Sequence, residues 1–165
     1  MPVRRLIIMR HAKSSWQHDL EDHQRPLNQR GRRAAPVIAA HLAQLGWRPE
    51  IVICSDSART TETWRCMQEA FSPPCEVRFD HRLYLASVGT VRRVLAELPD
   101  ETTTAMVLGH NPSSESYVEW LTGMPMQFTT ANAALLQWRG VGWQQALTTP
   151  SGAELVALLR PKELA

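Results

Sequence analysis

"LIIMRHAKSSW" (residues 6–16) runs from four apolar residues directly into an arginine and a histidine. A short, β-branched apolar run closed by charge reads as a strand buried on both faces of a parallel sheet. A strand of that kind, ending in ordinary solvated polar residues, would by itself explain Arg10 and His11. The remainder of the chain decides whether they do more.

The same pattern returns in "EIVICS" (50–55) and "TTAMVLGH" (103–110), in the shorter "CEVRF" (75–79), and in "AALLQW" (133–138). "ELVALLR" (154–160) reads either as a strand or as the start of a terminal helix. Helix signals lie between these runs. Asn28 is suited to cap a segment reaching about Leu45, with Ile38, Leu42 and Leu45 on one face and Gly46 as a stop. Ser57 caps a segment toward Phe71 and Ser87 one through Leu98, while Pro112 suits the first position of a helix ending near Gly123. Pro36 breaks the pattern, since a mid-helix proline costs roughly 3 kcal/mol, and a kink or restart is expected there. Strands alternating with helices predict a three-layer α/β/α sandwich with a mainly parallel central sheet.

The chain has 165 residues, 44% hydrophobic and 21% charged, which suits one domain spanning 1–165. Its 18 Lys and Arg against 16 Asp and Glu leave a charge of +2, too little to argue for nucleic acid or an anionic membrane. Three cysteines without C-x-x-C spacing fit reduced thiols in a cytoplasmic protein, with Cys54 in the core. The apolar run Leu6–Met9 is too short for a signal peptide or a membrane span.

Ligands of open α/β sheets gather at the carboxyl ends of the strands, where loops lead into helix N-termini. The first strand delivers Arg10 and His11 there, "CSDSARTTET" (54–63) delivers Arg59, and "LGHNPSS" (108–114) delivers His110. Two arginines and two histidines at one edge suit a tetrahedral phosphate. Adjacent arginines disfavour a metal, and no H-E-x-x-H, P-loop or G-x-G-x-x-G pattern is present. Cys54 lies within its strand and there is no C-x5-R loop, so a neutral imidazole remains as the group to attack phosphorus. Arg10, Arg59 and His110, if protonated, would then hold the equatorial oxygens.

"RHAKSSW" (10–16), "RPLNQRG" (25–31), "CSDSARTTET" (54–63) and "LGHNPSSESYVEWLTG" (108–123) together resemble the histidine phosphatase superfamily, with its phosphoglycerate mutase-like fold. Ala12 after His11 and the short chain are similar to the SixA branch of phosphohistidine phosphatases. The resemblance implies that His11 is phosphorylated during turnover, that Arg10, Arg59 and His110 complete the phosphate pocket, and that Ser14 or Gln17 adds a supporting contact. It also implies a metal-independent phosphatase without cofactor. The substrate would be a phosphohistidine on a protein, such as a histidine phosphotransfer domain, or a small phosphorylated metabolite, and the product inorganic phosphate. Broad action on small phosphoesters and a non-catalytic phospho-ligand module are the alternatives.

Asp22, Asp80 or His110 could serve as general acid, and the labile P–N bond of a phosphoramidate lessens the need for one. Lys13 could add charge, and Trp16 could line the entrance. "RGRR" (30–33) is a solvated helix start or a docking patch for an acidic partner. His18, His23, His41 and His81 lack partners at motif spacing, and the remaining tryptophans read as core.

Overall fold

Leu6, Ile7, Ile8 and Met9 are all buried in the computed structural model, which describes residues 2–17 and 19–164. His18 therefore lies outside the described residues. Alternation sends Leu6 and Ile8 to one face of the sheet and Ile7 and Met9 to the other. The strand they build, β1, spans Val3–Arg10. The other strands are β2 (Ile51–Ser55), β3 (Glu76–Asp80), β4 (Thr104–Gly109), β5 (Ala133–Arg139) and β6 (Glu154–Leu159).

They form one sheet in the order β3-β2-β4-β1-β5-β6. β1 pairs parallel with β4, and β2 parallel with β3 and β4, whereas β5 runs antiparallel to both β1 and β6. The expected mainly parallel sheet is present, with β5 the one strand set against the rest. "ELVALLR" resolves to a strand.

Helices cover both faces. α1 (Gln29–Gln44), α2 (Ala58–Met67) and the short α6 (Pro161–Leu164) lie on the face of Ile7 and Met9. α3 (Val88–Leu95), α4 (Ser113–Thr122) and α5 (Trp143–Thr148) lie on the face of Leu6 and Ile8. The expected caps form: Asn28 accepts from the Gly31 amide at 2.9 Å, Ser57 from Thr60 at 3.4 Å and Ser87 from Thr90 at 3.2 Å. Gly123, at φ +73°, closes α4 in the left-handed region that favours glycine.

Three boundaries depart from the sequence reading. α1 continues through Pro36 as one helix, with no restart. Pro36 is exposed, so the carbonyl it leaves unpaired one turn back is not committed to the core. α3 ends at Leu95 rather than Leu98, and Pro112 occupies the N-cap, with Ser113 the first helical residue.

The connections position the site. β1 and β4 are neighbours, yet the chain leaves β1 for α1 on one face and leaves β4 for α4 on the other. This divergence opens a crevice at their carboxyl ends, the switch point where α/β sheets bind ligands.

Candidate active site

Arg10 closes β1 opposite Gly109, and His11 and His110 follow the two strands into that crevice. The His11 backbone is pinned on both sides: its amide donates to the Gly109 carbonyl at 3.1 Å and its carbonyl accepts from Ala131 at 2.9 Å. A hollow of about 280 Å³ opens there, lined by Arg10, His11, Ser14, Arg25, Arg59 and His110 among others. Lys13 and Trp16 stand on its wall as well. The two imidazole rings lie 5.4 Å apart.

His11 is 6% exposed, and its Nδ1 lies 2.7 Å from the Ala12 carbonyl oxygen. A carbonyl only accepts, so Nδ1 carries the proton and Nε2 keeps a free lone pair. Burial, reinforced by Arg59, Arg10 and Arg25, outweighs that hydrogen bond and pushes the His11 pKa down to about 4. His11 is therefore a neutral imidazole at pH 7.

Burial, the neighbouring His11 and Arg59 push His110 down to about 3. His110 is therefore neutral in the free protein at pH 7, and the condition of a protonated His110 is not met there. Its Nε2 contacts the Ser55 hydroxyl at 2.9 Å, while its Nδ1 is buried without a partner. Nε of Arg10 is likewise buried and unpartnered. Buried polar atoms without partners are rare, and both of these belong to residues that line the hollow.

Arg59 enters from the first turn of α2 and is 4% exposed. It donates to the Asp22 carbonyl at 2.7 Å and to the Asp22 carboxylate at 3.0 Å. Asp22 also accepts from Arg25 at 2.9 Å and from the Tyr84 hydroxyl. Desolvation opposes ionisation of Asp22, but these donors prevail and hold its carboxyl below the usual range. An acid kept ionised in this way has no proton to give at neutral pH.

Asp80 caps the turn His81–Leu83 and is engaged by Arg82 at 2.7 Å, which makes it a structural anchor. Ser14 lines the hollow and accepts from Arg25. Gln17 does not border the hollow; it lines an adjoining groove with Arg30 and Arg33, so the contact expected of it is not made to this space. Cys54 is fully buried, and burial raises its thiol pKa further, which removes it as a nucleophile.

Two participants were not singled out in the sequence. Arg25, buried at 7%, donates to Ser14 and to the Ser15 carbonyl, and its guanidinium covers the exposed Trp16 ring at 3.3 Å. Tyr84 sets its ring against His110, with centroids 5.6 Å apart. "RPLNQRG" was part of the resemblance, so Arg25 was within reach of the sequence reading. Nothing local marks Tyr84.

Paired imidazoles and three buried or half-buried arginines at a sheet switch point define a phosphate-handling α/β protein. The family model for the histidine phosphatase superfamily (branch 1) matches residues 6–116, and the chain belongs to that superfamily. A chloroplastic protein of uncharacterised function from Arabidopsis thaliana is 36% identical, across 96% of this chain and 78% of that one. Among solved structures, a candidate phosphohistidine phosphatase SixA from Agrobacterium tumefaciens superposes with a TM-score of 0.82 at 28% identity, covering 98% of this chain and 99% of that one. A protein histidine phosphatase SixA complexed with tungstate shares the fold, with a TM-score of 0.81 at 23% identity over 98% and 99% of the two chains. The chain stands with the SixA-type branch of its superfamily.

Proposed function

We propose that the chain is a metal-independent phosphatase that works through a phosphohistidine on His11, and that its substrate is a phosphohistidine displayed on a protein. The observation that carries the reading is the neutral His11 ring, whose Nδ1–H is tied to Ala12 while Nε2 keeps its lone pair. In the first step Nε2 attacks phosphorus, an N–P bond forms, and the bond from phosphorus to the leaving atom breaks. Water then attacks the phosphoryl group, the N–P bond breaks, inorganic phosphate departs, and His11 returns to its neutral form.

The guanidinium groups of Arg10 and Arg59 neutralise the charge on the equatorial oxygens during both steps. With the Ser55 hydroxyl donating to Nε2 of His110, the Nδ1–H of His110 supplies a donor without a buried charge. Asp22 holds Arg59 rather than acting as an acid. A leaving imidazole takes its proton readily from solvent, and the absence of a poised carboxylic acid among these groups fits a labile P–N substrate better than an unactivated ester.

Location of the phosphate on a protein is supported by the surroundings of the hollow. Trp16, 79% exposed, and Lys13 join it to a groove of about 650 Å³ bordered by Arg30 and Arg33, suited to an acidic surface around the phosphorylated residue. Arg32 is already paired with Glu62 at 2.6 Å. Three free cysteines suit a reducing compartment such as the cytoplasm. Among the described residues no helix is long and apolar enough to cross a membrane.

The reading is tested by comparing kcat/KM for a phosphohistidine-bearing protein and for sugar phosphates, with and without EDTA. The phosphohistidine protein is expected to be preferred by at least about two orders of magnitude, with turnover unchanged by the chelator. Preference for the small esters would support a broad phosphatase instead. Loss of turnover in EDTA would contradict metal independence.

A further inference from the structure

The fold assembles a second group of ligand-type side chains, outside the phosphate hollow. His23 lies in the turn Asp22–Gln24, Asp56 follows β2, and His81 opens the turn after β3. These positions are 33 and 25 residues apart in sequence, which is why no motif spacing marks them. Nε2 of His23 lies 2.8 Å from one Asp56 oxygen, and Nδ1 of His81 lies 2.9 Å from the other. One ligand atom from each residue falls within 4.8 Å of the others.

We propose that His23, Asp56 and His81 form a binding site for a borderline-soft divalent cation of the zinc type. Two imidazole nitrogens and a carboxylate are the donor set of open zinc sites, which leave a fourth position to water. Zn–N bonds of about 2 Å put two imidazole ring centres on the order of 5 Å apart, and those of His23 and His81 stand 5.6 Å apart. The atoms now in hydrogen-bond contact need to separate by less than about 1 Å to admit the ion.

Exposure and charge favour entry. The side chains of His23 and Asp56 are about one-third exposed and that of His81 is 73% exposed, so an ion reaches them from solvent without opening the fold. Both Asp56 oxygens already face a histidine ring nitrogen, so the carboxylate is held where it would share an ion with the two imidazoles. On binding, each imidazole presents to the metal the nitrogen that now faces Asp56, and its ring proton moves by solvent exchange to the other nitrogen. Asp80, the nearest carboxylate in sequence to His81, is taken up by Arg82 and stays outside the set.

The site adjoins the phosphate hollow without belonging to it. The Tyr84 ring stands between them, 4.7 Å from His23 and 5.6 Å from His110. The ion takes no part in phosphoryl transfer, and its removal leaves turnover intact.

The test titrates the purified chain with Zn²⁺ alone by calorimetry, and with Co²⁺ while recording the visible spectrum. One equivalent of Zn²⁺ is expected to bind, with the Co²⁺ bands of a tetrahedral nitrogen and oxygen site and no intense thiolate band. His81→Ala, at an exposed position, and the near-isosteric Asp56→Asn are each expected to weaken binding by at least roughly tenfold. His11→Ala is expected to leave it unchanged. Absence of binding in the wild type would overturn the proposal and leave the cluster a hydrogen-bonded clamp between β2 and β3. Binding indifferent to both Asp56→Asn and His81→Ala, or abolished by His11→Ala, would also overturn it, by placing the ion elsewhere.

Discussion

His11 and His110 share one property that decides the chemistry: burial beside arginines keeps both rings neutral well below the usual histidine pKa. Their ring resonances are therefore expected to stay unchanged in an NMR titration from pH 8 to about 5.5, whereas a midpoint near 6.5 for His11 would contradict the reading. The same shift fixes the sign of the stability change. In the unfolded chain both histidines take up protons near 6.5, while in the folded chain they do so only near 4 and 3. Their contribution is fully present above pH 6.5 and is lost as pH falls, at about 1.4 kcal/mol per histidine per pH unit. The denaturant midpoint is expected to drop between pH 7 and pH 5. Asp22 gives a separate test at this scale. As a holder of Arg59, its replacement in Asp22→Asn is expected to lower kcat/KM about tenfold, whereas a general acid would cost roughly 10²- to 10⁴-fold.

At the scale of elements, the approach of α1 to the loop after β1 depends on Gly31. A Cβ there would sit 2.2 Å from the Lys13 carbonyl oxygen, and backbone cannot yield as a flexible side chain would. Gly31→Ala is expected to destabilise the fold by about 1–3 kcal/mol and to lower kcat/KM by displacing Lys13 and Ser14 from the hollow. Pro36 points the other way. It is exposed within a continuous α1, and Pro36→Ala restores a helix hydrogen bond at the cost of a freer unfolded chain, for a net gain of about 1–2 kcal/mol in chemical denaturation. The elements themselves were legible where a local pattern determines them. β1, β2 and β4 each carry an unbroken apolar run because both of their faces are covered there, and Asn28, Ser57 and Ser87 announce helices through a side-chain oxygen that the first-turn amides need. α5 was not foreseen, since Trp143 and Leu147 mark a six-residue helix only once the face of α3 and α4 exists to receive them. The site divides along the same line. Arg10, His11, Arg59 and His110 sit at strand ends and helix starts, which sequence locates, whereas Tyr84 and the contacts among His23, Asp56 and His81 come from loops joined only by the packed sheet.

Over the whole molecule the charge of +2 is small, yet the basic side chains concentrate along one groove beside the hollow. Arg30 and Arg33 touch no part of the hollow itself, so Arg30→Glu with Arg33→Glu is expected to raise KM for a phosphoprotein and to flatten its dependence on salt, with little change for a small phosphate ester. Equal effects on both substrates would remove the groove from recognition. The proposed turnover rests on a covalent bond between phosphorus and one ring nitrogen of His11. The direct measurement is rapid quenching of the enzyme during turnover of a ³²P-labelled substrate, followed by denaturation and peptide mapping. The account predicts acid-labile, alkali-stable label on the peptide that carries His11, absent from His11→Ala. A turning-over wild type that carries no such label, or a His11→Ala protein that still acquires it, would contradict the account.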